Sequence, residues 1–302
     1  MSINHVEKIT VDKGPKWVLR WAVGLPVAFA FFYSVYLLPI LFRFMCTAIL
    51  IPCSIEFDNF VIFLELIDIA QHKFFRILFI SFAALISASS IFIGDYLIHF
   101  TILFAGCTSI IIGHIISEKA FNKETLSPKV FYHLAIQILG LVWATFGLSN
   151  MLMLNHIDTS FCFFCLTITF TTDTMSMVIG KPFGKHKMFK SLSPNKSWEG
   201  FFGGIFGGAL FQGSIILPLY GRWRCVPTTV TRLQLVVLEI ITAFFVQLGD
   251  LTQSYFKRIA GIKDSGNFFP GHGGALDRVC GFTFSAAFVV LLLKFMPQLI
   301  HQ

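Results

Sequence analysis

Asp250, Asp264 and Asp277 alternate with Lys257, Arg258, Lys263 and Arg278 between Gly249 and Arg278. Carboxylates offer the hard oxygen ligands that Mg2+ takes one or two at a time, with substrate phosphates completing the shell. The basic side chains suit the phosphates themselves. His272 sits among Gly271, Gly273 and Gly274, which permit a positive φ or a close approach of backbone to ligand. Together these are the ingredients of metal-assisted phosphoryl or nucleotidyl transfer. The stretch is not a P-loop, because GxxxxGK[ST] is absent. A second polar stretch, GKPFGKHKMFKSLSPNKSWEG from Gly180 to Gly200, carries five lysines. Alone it reads as basic charge at a membrane surface. Beside the first stretch it reads as a clamp for a triphosphate or a phospholipid headgroup, since ammonium groups offer mobile donors to phosphate.

The rest of the chain must position these groups, and it is mostly hydrocarbon. Of 302 residues 55% are hydrophobic, 37 are Phe and only 13% are charged, against about 25% charged in a soluble domain. The expected fold is all-α: a polytopic integral membrane protein with about nine transmembrane helices. The spans are expected at roughly 18–42, 44–67, 74–94, 97–117, 131–154, 160–180, 200–220, 233–250 and 279–299, each near the 20 apolar residues a crossing needs. Glu56, Glu65 and Asp68 interrupt or flank the second, and Asp173 lies inside the sixth. With the N-terminus inside and the C-terminus outside, 18 of the 23 Lys and Arg residues fall on inner segments, as the positive-inside rule asks. The net charge of +7 then describes an inner face that meets anionic lipid or anionic substrate and calls for no nucleic acid.

Two regions follow. Residues 1–155 are an N-terminal transmembrane scaffold with scattered histidines such as His99 and His114, expected to be hydrogen-bonded to neighbouring helices. Residues 156–302 form a C-terminal catalytic transmembrane domain, with polar loops 180–200 and 249–278 on the inner side. Gly200, Gly204 and Gly208 recur every four residues, as do Gly203 and Gly207. Such spacing lets helix backbones approach closely. It favours packing within the chain over a homodimer contact. Glu239 falls near the middle of the eighth span, where a carboxylate is costly and is a functional hypothesis by default; a hydrogen-bonded structural acid is an equal reading. The seven cysteines include one CxxC, Cys162 and Cys165. Without a second pair it reads as apolar packing rather than a zinc site, which takes about four ligands.

The stretch SYFKRIAGIKDSGNFFPGHGGALDR closely resembles the signature of the phosphatidate cytidylyltransferase, or CDP-diacylglycerol synthase, family. Ser254, Lys257, Arg258, Lys263, Asp264, His272, Gly273, Gly274, Asp277 and Arg278 match it. The upstream SPNKSWEG and GKPFGKHK resemble two further family elements in the same order, and the wording GIKDSGN is similar to bacterial members. The likeness covers about residues 170–280 and is only topological before that. There are two departures. Cys280 stands where the family usually has an acid, three residues after Asp277, and Asp173-Thr174-Met175-Ser176-Met177 replaces a segment resembling Asp-Ser-Gly-Ala-Tyr.

What the resemblance implies is transfer of CMP from CTP to phosphatidic acid, giving CDP-diacylglycerol and pyrophosphate, with Mg2+ as cofactor. It implies Asp250 and Asp277 as metal ligands, and Lys257, Arg258, Lys263 and Arg278 on phosphates. Ser193, Lys196 and Ser254 position substrate, with Gly273 and Gly274 in the substrate-binding loop. His272 is either a phosphate donor or a loop-fixing hydrogen bond, and Asp264 is read first as a partner orienting Lys263 and second as a metal ligand. The expected surroundings are membrane lipids, in a bacterial inner membrane rather than the endoplasmic reticulum. Alternatives are a CTP-using lipid kinase or other lipid nucleotidyltransferase, a transporter working through Asp173 and Glu239, and an inactive homologue.

Overall fold

A computed structural model describes residues 26, 29–64, 69–120, 128–219, 227, 229–269 and 273–296. The chain opens with helix α1 (residues 29–37), then α2 (Pro39–Phe63), α3 (Ile69–Phe92) and α4 (Tyr96–Ala120). Next come α5 (Pro128–Leu139), a wider π turn (Gly140–Phe146) and α6 (Gly147–Ile157), which run on as one rod. Helix α7 (Thr159–Phe183) leads into a hairpin of β1 (Lys187–Phe189) and β2 (Ser193–Ser197). Then follow α8 (Trp198–Phe202), a second π turn (Gly203–Gly207), α9 (Gly208–Leu219), α10 (Arg232–Ile259), the short α11 (Leu276–Val279) and α12 (Phe282–Phe295).

Six of these rods are long and apolar enough to cross a membrane: α2, most of α3, most of α4, Pro128–Ile157, α7 and α10. Their outer faces carry large apolar side chains such as Ile77, Phe104, Ile115 and Leu233, each more than 60% exposed. In water that surface would be prohibitive; in lipid it is the expected exterior. The chain is a multi-pass helical membrane protein. The helical path from Trp198 to Leu219 follows the expected seventh span. Helix α12 has 14 described residues, near 21 Å of helix.

Several boundaries differ from expectation for readable reasons. The first break falls at Leu38, with φ −136° and ψ 65°, and not near residue 43. Proline disfavours helical geometry in the residue before it, and suits the first helical position itself, so α2 starts at Pro39. The expected first span, 18–42, lies partly outside the described residues. Helix α10 runs to Ile259 rather than residue 250, so Asp250, Ser254 and Lys257 stand on its last turns and not in a loop. The 180–200 segment adds a two-stranded hairpin to the otherwise helical fold.

The main apolar core draws on both halves, from Phe42 and Phe57 to Leu235 and Val290. The glycine stripe is used inside the chain. A Cβ on Gly200 would lie 3.0 Å from the Cα of Gly180, and one on Gly208 would lie 2.8 Å from the Cα of Thr172. Gly203 and Gly207 meet Ile179 of the same helix, α7.

Candidate active site

The two polar segments meet at one end of the bundle. The Arg258 Nε donates to the Leu192 carbonyl at 3.0 Å, tying the end of α10 to the hairpin. The hairpin is itself stapled. His186 donates its backbone N–H to Glu199 at 3.1 Å, and its ring Nδ1 lies 2.5 Å from the same carboxylate. Hydrogen bonds from the backbone at Glu199 and from the His186 side chain hold the Glu199 carboxyl down at about 2. The Ser197 hydroxyl accepts from Gly200 N–H at 3.1 Å and so starts α8.

Between these parts lies a cavity of about 370 Å3. Helix α7 lines it with Asp173, Ser176 and Gly180, the hairpin with Asn195, Lys196 and Ser197, and α10 with Gln247 and Asp250. Asp277, Arg278 and Cys280 complete the wall. Three carboxylates and three cations, Lys181, Lys196 and Arg278, thus converge from segments up to about a hundred residues apart.

The charges are paired in a definite pattern. Lys196 Nζ lies 2.5 Å from Asp250 Oδ2. The other oxygen of Asp250 has the Cys280 thiol at 3.8 Å. Asp277 is more fully engaged. Its Oδ1 accepts from Lys257 Nζ at 2.7 Å and Gln253 Nε2 at 3.2 Å. Its Oδ2 accepts the backbone N–H of Ser265 at 2.9 Å and of Gly274 at 3.2 Å. Burial pushes the Asp277 carboxyl up. The hydrogen bond and charge of Lys257, with the Ser265 and Gln253 donors, outweigh it and hold the group below the usual carboxylate range.

The expected site residues therefore divide. Lys196, Asp250, Asp277 and Arg278 share the cavity, with Arg278 exposed at its wall. Lys257 reaches Asp277 from one side of it. Gly273, at φ +90°, and Gly274 shape the adjoining loop. A Cβ on Gly274 would collide with Ser265 Oγ and Glu56 Oε2. Arg258 is spent on the carbonyls of Leu192 and Ile262. The Ser254 hydroxyl donates back to the Asp250 carbonyl at 2.9 Å. Ser193 opens β2 and is half-buried. Lys263 and Asp264 are both exposed, and no ion pair joins them among the described residues. His272 lies outside the described residues.

Three residues were not assigned to the transfer site from sequence. Asp173 was seen as a departure within a span, yet it lines the cavity. Gln253 was not singled out from sequence, yet it is buried and holds Asp277. Glu56 looked like an interruption of the second span. It is buried in mid-helix and accepts from Ser265 Oγ, Ala275 N and Leu276 N at 2.8–2.9 Å. A lone acid in an apolar helix was the available signal, but nothing local names its partners.

Among the described residues no group of three or more His, Cys, Asp or Glu side chains is gathered closely enough to hold a metal by itself. Mg2+ is typically held by one or two carboxylates with substrate phosphates and water, and so needs no such group. Asp250 Oδ1 and Asp173 fit this role, whereas both oxygens of Asp277 are already taken by four donors.

The sequence profile of the cytidylyltransferase family matches residues 18–296. A phosphatidate cytidylyltransferase of Staphylococcus epidermidis is 34% identical over 179 residues, 59% of this chain and 65% of that protein. One of Staphylococcus saprophyticus is 33% identical over the same length. One of Staphylococcus aureus is 42% identical over 130 residues, 43% of this chain and 47% of that protein. The chain thus spans just under two thirds of the length of the first of these curated relatives.

Proposed function

The chain belongs to the cytidylyltransferase family, and from that premise we propose that it transfers CMP from CTP to phosphatidic acid, releasing pyrophosphate. The observation that carries this reading is the cavity itself: Asp173, Lys196, Asp250, Asp277 and Arg278 converge on one space at the polar end of a lipid-embedded bundle. The relatives named above support the same lipid acceptor.

In this mechanism a phosphate oxygen of the lipid attacks the α-phosphorus of CTP. A new phosphoanhydride bond forms, the α–β bond breaks, and pyrophosphate leaves with the electron pair. The lipid phosphate is a monoester with a second pKa near 6, so it is already anionic at neutral pH and needs no strong base. The site's work is positioning and neutralising charge. Arg278 and Lys196 would hold phosphates in the cavity. Asp250, with Asp173, would hold Mg2+, which would supply further neutralisation of the triphosphate. Lys257 and Gln253 keep Asp277 ionised and fixed, and Arg258 keeps the two polar segments together. Lys263 and His272 remain further candidates for phosphate contact.

We further propose nine crossings, with the N-terminus and both polar segments inside and the C-terminus outside, in a cell membrane. The meeting of the two segments at one end of the bundle supports this arrangement. A homodimer would need a surface other than the glycine stripes. The test is an assay of the purified protein with CTP, Mg2+ and vesicles containing phosphatidic acid. CTP-dependent formation of CDP-diacylglycerol with equimolar pyrophosphate supports the reading. Formation of a phosphorylated lipid and CDP from a lipid alcohol would instead indicate a kinase. Solute flux across sealed vesicles without CTP would indicate a transporter.

A further inference from the structure

We infer that Glu56, on the second helix of the scaffold, is a positioning residue for the reaction, holding Ser265 and the turn at Ala275 and Leu276 so that Asp277 and Arg278 face Lys196 and Asp250. The inference rests on the transfer reading above. Its basis is geometric. Glu56 is 6% exposed, and its three described partners are all on the loop. Oε1 accepts the Ala275 N–H at 2.9 Å, and Oε2 accepts the Leu276 N–H at 2.9 Å and the Ser265 hydroxyl at 2.8 Å.

The turn at Leu276 has no cap of its own, since the preceding Ala275 offers no side-chain acceptor. Glu56 supplies that acceptor from a residue 219 positions away. Ser265 then links two carboxylates. Its hydroxyl goes to Glu56 and its backbone N–H to Asp277. Gly274 completes the link, donating to Asp277 while its Cα packs where any side chain would strike Glu56. Gly266 is pressed on the same carboxylate. Moving Glu56 therefore moves two of the four donors that fix Asp277, and Arg278 is the next residue in the chain.

Gln at position 56 keeps the volume but turns one acceptor into a donor facing N–H or O–H groups. Buried donors without an acceptor are costly, so the loop should part from α2. Full-length protein in detergent or nanodiscs should be compared as wild type, Glu56→Gln, Glu56→Asp and Asp58→Asn. Asp58 is a suitable comparator, because it is equally buried on α2 but faces His72 and Arg76. Two readouts are taken: backbone hydrogen exchange, and kcat with KM for CTP. In Glu56→Gln, exchange at Ser265, Ala275 and Leu276 should rise about tenfold or more, the equivalent of roughly one buried hydrogen bond. Exchange in α3 and α4 should not change.

The KM for CTP should rise about tenfold together with a fall in kcat, because a misplaced phosphate site weakens binding as well as turnover. Glu56→Asp should lie between wild type and Glu56→Gln, and Asp58→Asn should leave the loop as in wild type. The inference is overturned by unchanged loop exchange, or by faster exchange with wild-type kinetics. It is also overturned by a uniform rise through α2–α4, or by loss of kcat at constant KM that matches a fall in the folded fraction, which would mean only that less protein is folded. If the wild type transfers no CMP, the transfer reading fails by itself. The exchange data then decide the tether alone, a local rise supporting it and none refuting it.

Discussion

Both halves of this apolar molecule contain polar networks, and the two are built differently. In the first half, His99 is fully buried; its Nδ1 meets Ser90 at 2.9 Å and its Nε2 meets Ser149 at 2.9 Å. His114 and His133 lie 2.7 Å apart between α4 and α5, and Asp58 lies 3.3 Å from His72. These contacts join helices to one another, the usual work of polar side chains in lipid. In the second half the paired groups line open space: Lys196 with Asp250, and Asp277 beside Arg278, around about 370 Å3. Burial alone does not separate the two kinds. What separates them is whether a ligand can reach the paired charges.

That contrast predicts effects of different kind and size. The largest falls on the cavity pair. Lys196→Ala and Asp250→Asn should each lower kcat/KM by about 100-fold or more, the scale of losing one aligned electrostatic group in an active site, with little change in melting temperature. A loss below tenfold would remove the pair from the chemistry.

Next is Lys257→Ala, which strips the main donor from Asp277 and should cost roughly 10–100-fold, as loss of a supporting partner does at charged sites. It should also shift acid sensitivity. With its carboxyl held below the ordinary value, Asp277 contributes stability that is present above about pH 4 and lost as pH falls through its lowered value. Without Lys257 that loss should begin at higher pH, which a pH–activity profile with matched unfolding curves would read.

In the first half, His99→Ala should act the opposite way, lowering the unfolding midpoint by the equivalent of roughly 1–3 kcal/mol while kcat/KM per folded molecule stays within about threefold. Activity loss without destabilisation would erase the distinction between the halves. The smallest effect is at Cys280, whose thiol sits 3.8 Å from Oδ1 of Asp250. Cys280→Ser should change activity less than about threefold, since a thiol is a poor ligand for a hard cation. Cys280→Asp should lower the magnesium needed for half-maximal rate, and an unmoved titration would show that this position does not touch the metal.

Much of this was legible in the sequence. The alternation of acids, bases and glycines from Gly249 to Arg278 singled out Asp250, Asp277 and Arg278, which the structure brings round one cavity with residues of the 180–200 segment. Asp250, Lys257 and Ser254 were read as loop because polar residues ended the apolar run, whereas α10 simply continues beyond its greasy part. The hairpin was not foreseen, because its strands lack the alternating apolar pattern that a half-buried strand shows. Glu56 could be seen as an unusual acid, but its partners are more than two hundred residues away and include two backbone N–H groups that leave no mark in composition. Asp173 was visible for the same reason and was harder to place, since only the approach of α7 to the hairpin gives it a cavity to line.

The most direct measurement is CMP transfer from CTP to vesicle-borne phosphatidic acid by the purified wild-type chain and by Asp250→Asn, with pyrophosphate counted in parallel. The account predicts CTP-dependent CDP-diacylglycerol and an equal amount of pyrophosphate from the wild type, and about 100-fold less of both from folded Asp250→Asn. No lipid product from a folded wild-type protein, or equal product from both, would contradict it.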